Sequence, residues 1–187
     1  MIKRALRFVG RVIKDLLREE DRLTLLKRNG LKVGDNFKMQ CECLIDESHC
    51  WHIEIGNNVT LAPRVHILAH DASTKVHFNY TKLRNVKIGD NVFVGAGAII
   101  MPGVKIGDNA IIGAGSVVTK DIPAKVVAAG NPAKVVCTLD EYIAVEKGRM
   151  NAENCFNESY TLRQNVDDKK KQQMVEVTDR YGQSFVV

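Results

Sequence analysis

Residues 88–123 read IGDNVF VGAGAI IMPGVK IGDNAI IGAGSV VTKDIP, six hexapeptides in unbroken register. Each opens on an aliphatic residue: Ile88, Val94, Ile100, Ile106, Ile112 and Val118. The fifth position is small or β-branched throughout (Val92, Ala98, Val104, Ala110, Ser116, Ile122). Gly, Asp, Asn and Pro fill the spaces between, the residue types that accept tight turns and positive φ. A period of six matches neither the helical repeat nor the alternation of a lone strand. It fits a coil of three short strands joined by corners, so that eighteen residues close one turn and stack their aliphatic residues on the next. The chain is expected to form a parallel β-helix.

The period extends backwards with two slips. Ile55, Leu61 and Ile67 form one triad, and Val33, Met39 and Ile45 a weaker one. Ile45 and Ile55 are ten residues apart, four more than a hexapeptide, and Ile67 and Ile88 are twenty-one apart, fifteen more. The larger slip predicts a loop leaving the coil at about 71–87. Solenoids carry such insertions at their corners, and their particular chemistry with them.

Composition narrows the function. The net charge of +5 comes entirely from residues 1–30, which hold nine Lys/Arg against four Asp/Glu. No nucleic-acid motif and no basic stripe on the folded part supports a nucleic-acid partner. In that segment Ile2, Leu6, Val9, Val12, Ile13, Leu16 and Leu17 recur at helical spacing opposite Lys3, Arg4, Arg7, Arg11 and Lys14. Its charges exclude a membrane span. Two readings stand, a cap on the open end of the solenoid or a membrane-surface contact through residues 1–18, and the cap is favoured. Five cysteines without a secretory signal point to free thiols and a cytoplasmic setting.

CECLIDESHCWH (residues 41–52) gathers Cys41, Cys43, Cys50, His49 and His52, yet lacks paired C-x2-C spacing, and Cys43 takes the small inward position of its hexapeptide. No metal is expected. Asp46 stands at the irregular corner, as a turn former or as a substrate contact. His70, in HILAHDAS, sits at the mouth of the larger insertion. The Gly/Ala corners at Gly95–Gly97 and Gly113–Gly115 leave backbone approachable to a long thin ligand. There is no G-x-G-x-x-G between strand and helix, no P-loop and no G-x-S-x-G.

The run IGDNVFVGAGAIIMPGVKIGDNAIIGAGSVVTKDIPAKVVAAGNPAK resembles the left-handed β-helix, hexapeptide-repeat acyltransferases, above all the galactoside, maltose and capsular-polysaccharide O-acetyltransferases. The likeness covers about residues 31–136. It implies an all-β solenoid with a left-handed coil, a homotrimer, and acetyl-coenzyme A held in a cleft between subunits. It also implies His70 as the catalytic base and coenzyme contacts at Ala96, Ala114, Thr119, Lys120 and Lys134. Galactoside acetyltransferases carry Ser where Ala96 stands and Arg where Lys134 stands, and an ammonium replaces a bidentate guanidinium in the second case. The implied reaction is direct transfer of acetyl to a saccharide hydroxyl, with the Ala96 N–H available to the oxyanion. The group orienting the imidazole is left open: Asp71 is adjacent but points elsewhere in an extended strand, and a backbone carbonyl serves equally.

Three further expectations complete the reading. Residues 1–30 form an N-terminal helical segment, 31–136 the β-helix, and 137–187 a C-terminal extension. Thr138-Leu139-Asp140-Glu141 has the form of a capping box opening a helix through about Lys147. The competing activities are N-acylation of an amino sugar or other amine, and use of the fold as a scaffold or a carbonic anhydrase-like metalloenzyme. The last is opposed by Ala96 and Met101, which occupy the positions of that family's metal-binding histidines.

Overall fold

The computed structural model describes residues 22–187. The amphipathic segment 1–18 lies outside the described residues. Residues 22–28 are helical (α1), and the chain then enters a series of very short strands. The first round comprises β1 (Lys32–Val33), β2 (Lys38–Met39) and β3 (Leu44–Ile45). The second comprises β4 (Ile53–Ile55), β5 (Thr60–Leu61) and β6 (His66–Ile67). An excursion follows, with β7 (His70–Asp71), α2 (Lys75–Phe78) and β8 (Lys82–Leu83). The third round is β9 (Val86–Ile88), β10 (Phe93–Val94) and β11 (Ile99–Ile100), and the fourth β12 (Lys105–Ile106), β13 (Ile111–Ile112) and β14 (Val117–Val118). A hairpin of β15 (Val126–Gly130) and β16 (Ala133–Thr138) ends the series.

The chain visits three sheets in rotation. The first sheet has the order β1-β4-β9-β12, the second β16-β15-β13-β10-β5-β2, and the third β14-β11-β6-β3. Every pairing between rounds is parallel, and within these three sheets β16 alone runs antiparallel, against β15. Phe93 pairs with Ile111 and Ile99 with Val117, offsets of eighteen. Lys32 pairs with Glu54, an offset of 22, and Thr60 with Phe93, an offset of 33. The surplus of four and of fifteen residues therefore sits at the two slips seen in the sequence.

Hydrophobic residues converge on the axis of this coil. Ile88, Val94, Ile100, Ile106, Ile112 and Val118 are at most 2% exposed, and the fifth-position residues are buried beneath them. The Gly-Asp-Asn corners meet a specific backbone demand. Asn36, Asn58, Asn91 and Asn109 adopt φ of 52°, 54°, 56° and 58°. Asn is among the few side-chain-bearing residues that enter the left-handed region readily. Their amides then bond along the stack, Asn36 Nδ2 to Asn58 Oδ1 at 2.9 Å and Asn58 Nδ2 to Asn91 Oδ1 at 3.0 Å. The excursion is an ordered hairpin rather than a bare loop: His70 pairs with Leu83 and Asp71 with Lys82. It closes before Val86, because Val86 and Lys87 belong to β9.

Two compact units divide at Leu139/Asp140. The second contains most of α3 (Leu139–Gly148), then β17 (Cys155–Phe156), α4 (Asp168–Tyr181) and β18 (Phe185–Val186), with β17 and β18 paired in parallel. The DDKKKQQ run is the start of α4, capped by the Asp167 side chain accepting from the Lys170 N–H at 2.8 Å. None of the five cysteines is in a disulfide. No helix among the described residues is long and apolar enough to cross a membrane.

Ile112 pairs with Val94 on one side and Ala128 on the other and is fully buried. Ile112→Asp is expected to abolish soluble protein, since it forfeits about 1.5–3 kcal/mol of burial and adds an unpaired carboxylate. Soluble yield and circular dichroism check this, and a normally folded variant would refute the register.

Candidate active site

Asp46 follows β3 by one residue. Because Ile45 pairs with Ile67, the ladder carries Asp46 to the corner that follows β6, where its N–H donates to the Ile67 carbonyl at 2.9 Å. Its carboxylate turns inward and is only 3% exposed as a residue. Three N–H groups converge on one oxygen. Oδ2 accepts from the backbone N–H of Ala69 and of His70, each at 3.0 Å, and lies 2.5 Å from His70 Nδ1. Oδ1 accepts from the Ser48 N–H at 3.2 Å.

Burial by itself would push the Asp46 carboxyl up. The Ala69 N–H, the His70 ring with its charge, and the His70 N–H outweigh burial and hold the carboxyl below its ordinary value. An ionised carboxylate only accepts, so the proton of this contact sits on His70 Nδ1 and the lone pair of a neutral ring on Nε2. The His70 side chain is 34% exposed. A buried acceptor behind an imidazole with an open edge is an arrangement for taking a proton from a substrate.

Asp71 takes no part in it. Its carboxylate pairs with Lys82 Nζ at 2.6 Å and accepts from the Ser73 N–H at 2.8 Å. Lys82 first, and Ser73 second, hold it well below the usual carboxylate range. Asp46, read from the sequence as a turn former or substrate contact, is instead the partner of the imidazole. Counting the pairing across the four-residue slip would have placed it beside the Leu68–His70 corner. Asp46, His49 and His70 each offer a metal-ligand atom, all within 4.8 Å of one another. Asp46 Oδ2 is already engaged by three N–H donors, which favours a hydrogen-bonded pair over a metal centre.

The remaining sequence candidates sort into two columns. Ala96 and Ala114 occupy the corner leading into the third sheet, one turn apart, with the Gly115 N–H donating to the Ala96 carbonyl at 2.8 Å. Both are exposed, and among the described residues neither backbone N–H has an acceptor. Lys134 lies opposite Ala129 on the β15–β16 hairpin, above that same corner. Thr119 and Lys120 follow β14 and so belong to the corner leaving the third sheet, in the column of Asp46 and His70. The Gly/Ala corner and the His70 corner are thus different corners of one chain. The two columns flank opposite ends of the third sheet, because each strand pair moves the chain from one corner to the next.

Residues 85–120 match the family described as bacterial transferase hexapeptide (six repeats). Protein CapG of Staphylococcus aureus is 37% identical over 162 residues, covering 79% of this chain and 90% of that protein. This chain belongs to the hexapeptide-repeat acyltransferases. Among solved structures, a maltose O-acetyltransferase from Clostridium difficile 630 is similar at 48% identity, with 59% of each chain covered and a TM-score of 0.53. A galactoside acetyltransferase in complex with coenzyme A is 32% identical, with 67% of this chain and 73% of that one covered and a TM-score of 0.50. The chain spans 42–58% of the length of five other curated relatives that it matches and that are named as acetyltransferases.

The depressed Asp46 carboxyl has a pH signature. Its stabilisation is fully present above the unfolded value of about 3.9 and is lost as pH falls through the lower folded value. Asp46→Asn is expected to lose about 1–3 kcal/mol at neutral pH, because one amide end faces buried donors wrongly. Its urea midpoint should also fall less than the wild-type midpoint between pH 6 and 3. Parallel acid profiles for the two proteins would remove the ionised carboxylate from the site.

Proposed function

We propose that this acyltransferase carries acetyl from acetyl-coenzyme A to a saccharide hydroxyl, with His70 as general base and Asp46 as its positioning residue. The observation that carries the reading is the contact between Asp46 Oδ2 and His70 Nδ1 at 2.5 Å. Nε2 takes the proton of the acceptor hydroxyl as that oxygen attacks the thioester carbonyl. The tetrahedral intermediate then collapses, the C–S bond breaks, and the departing thiolate recovers the proton from the imidazolium. Asp46 keeps Nε2 presented and stabilises the ring while it is charged, and no covalent enzyme intermediate is needed.

The galactoside and maltose named for the relatives support a saccharide acceptor, and the coenzyme A complex of the galactoside enzyme supports acetyl-coenzyme A as donor. The exposed backbone at Ala96 and Ala114 suits the amides of a pantetheine arm. Thr119, Lys120 and Lys134 suit its more distant polar groups. The division of these residues between two corners supports a homotrimer whose cleft joins one column from each of two neighbours. In that arrangement the Ala96 N–H reaches the oxyanion from the adjoining chain. The eighteen-residue offsets support a β-helix, the relatives support its left-handed coil, and five cysteines without a disulfide support a cytoplasmic setting.

His70→Ala is expected to lower turnover by about 10²–10⁴-fold while leaving folding and acetyl-coenzyme A affinity intact. Coenzyme A release, measured against a panel of saccharides and amino sugars, checks it, with His66→Ala and His77→Ala as controls. Near-wild-type turnover by folded His70→Ala on an acceptor the wild type acetylates would end the mechanism. Transfer to amines alone would move the reading to N-acetylation.

Light scattering is expected to give three times the chain mass of 20.8 kDa. A fully active monomer would remove the intersubunit cleft.

A further inference from the structure

The four surplus residues between β3 and β4 build more than the Asp46 corner. They allow a short 3-10 turn, Cys50–His52, that is pinned from below. Cys50 is fully buried, with Sγ 3.5 Å from the carbonyl oxygens of Leu26 and of Asn29. Gly30 adopts a φ of +106°, and a Cβ there would come within 2.9 Å of the Trp51 Cβ. The position thus needs glycine twice over, for its backbone and for the approach of Trp51. Arg22 Nε reaches Glu47 Oε1 at 2.7 Å on the flank.

This corner presents a row of rings that begins at the catalytic base. The His70 and His49 centroids are 5.0 Å apart, and those of His49 and Trp51 5.4 Å. His49 Nδ1 is buried and has no hydrogen-bond partner among the described residues. Trp51, the single tryptophan of the chain, is 53% exposed at the outer end of the row. A large aromatic surface left open, held rigidly, and two ring contacts from the base is the composition of a ligand wall rather than of a core.

We propose that Trp51 is the acceptor platform, on which the apolar C–H face of a pyranose ring stacks so that a hydroxyl is directed past His49 to His70. This rests on the saccharide reading given above. A pyranose has one face of C–H groups and a polar rim, and an indole offers it a flat apolar surface. His49, between platform and base, is positioned by ring contacts with both Trp51 and His70, its buried Nδ1 having no hydrogen-bond partner among the described residues. An acyclic polyol has the hydroxyls without the rigid face, and gains nothing from the indole.

The test uses the full chain with methyl β-D-galactopyranoside and maltose as pyranose probes and sorbitol as the acyclic control. Trp51→Ala is expected to raise KM for the pyranosides about tenfold, the worth of one aromatic stacking contact, with the effect on KM rather than kcat and none on KM for acetyl-coenzyme A. Trp51→Phe should retain most of the affinity. Tryptophan emission, which reports Trp51 alone, should respond to the pyranosides and not to sorbitol, and should do so in His70→Ala as well. That last measurement separates the two claims: a wild type that acetylates no pyranoside would defeat the saccharide reading, whereas the emission titration decides the platform by itself. Unchanged KM in Trp51→Ala, emission indifferent to the pyranosides, or an equal response to sorbitol would overturn the platform. So would dissociation of the assembly on Trp51→Ala, which would make the indole a contact between subunits.

Discussion

Most strands of this protein are two residues long, too short to persist as isolated pairs. Each must therefore find its hydrogen bonds on the neighbouring round, and each round must return the chain to the same three directions. The pairing of Val94 with Ile112 above and Leu61 below illustrates this dependence. A short strand contributes one inward aliphatic side chain, and only the stacking of such residues makes a core. Corner geometry follows from that demand, since a corner that failed to turn would displace every strand after it. Asn36, Asn58, Asn91 and Asn109 hold their turns in the left-handed region, and the first three bond to one another because the rounds above and below repeat the same turn.

The chemistry is placed by the interruptions of this order. Where the repeat is perfect, at Gly95–Gly97 and Gly113–Gly115, the surface is a plain groove of backbone and methyl groups. Where it slips, the chain acquires the carboxylate, the imidazoles and the indole. Asp46 and His70 lie 24 residues apart in sequence, yet the pairing of Ile45 with Ile67 brings them within a hydrogen bond. The regular corner and the irregular one thus differ in kind, backbone and methyl groups at the first and polar and aromatic side chains at the second.

Much of this was legible in the sequence, because a hexapeptide period leaves little freedom. The inward residues, the two slips and their lengths all follow from counting aliphatic positions. His70 also stood out, by its place at the mouth of the longer insertion. The shared corner of Asp46 and His70 could be counted from the pairing of Ile45 with Ile67, but the inward turn of the carboxylate onto the imidazole could not, since it depends on how four surplus residues are absorbed. Local adjacency favoured Asp71, but the antiparallel pairing of β7 with β8 turns that carboxylate to Lys82. The split of Ala96 and His70 between two corners could have been counted, three residues from the second strand's start in one case and three from the third strand's end in the other. It was missed because a linear string does not display its corners.

The stacking of β6, β11 and β14 also makes the coil a ruler. Thr119 stands two strand spacings, about 10 Å, above Leu68, at the corner of Asp46 and His70. That interval is fixed by backbone pairing rather than by side chains, so substitutions on the surface leave it untouched. Adding or removing one eighteen-residue round between β6 and β14 would keep the Asp46–His70 pair intact, because both lie below the change. It would move Lys120 by one spacing relative to His70. Length along the coil axis is therefore quantised in this protein, and a ligand that spans from Lys120 to His70 must match a whole number of rounds.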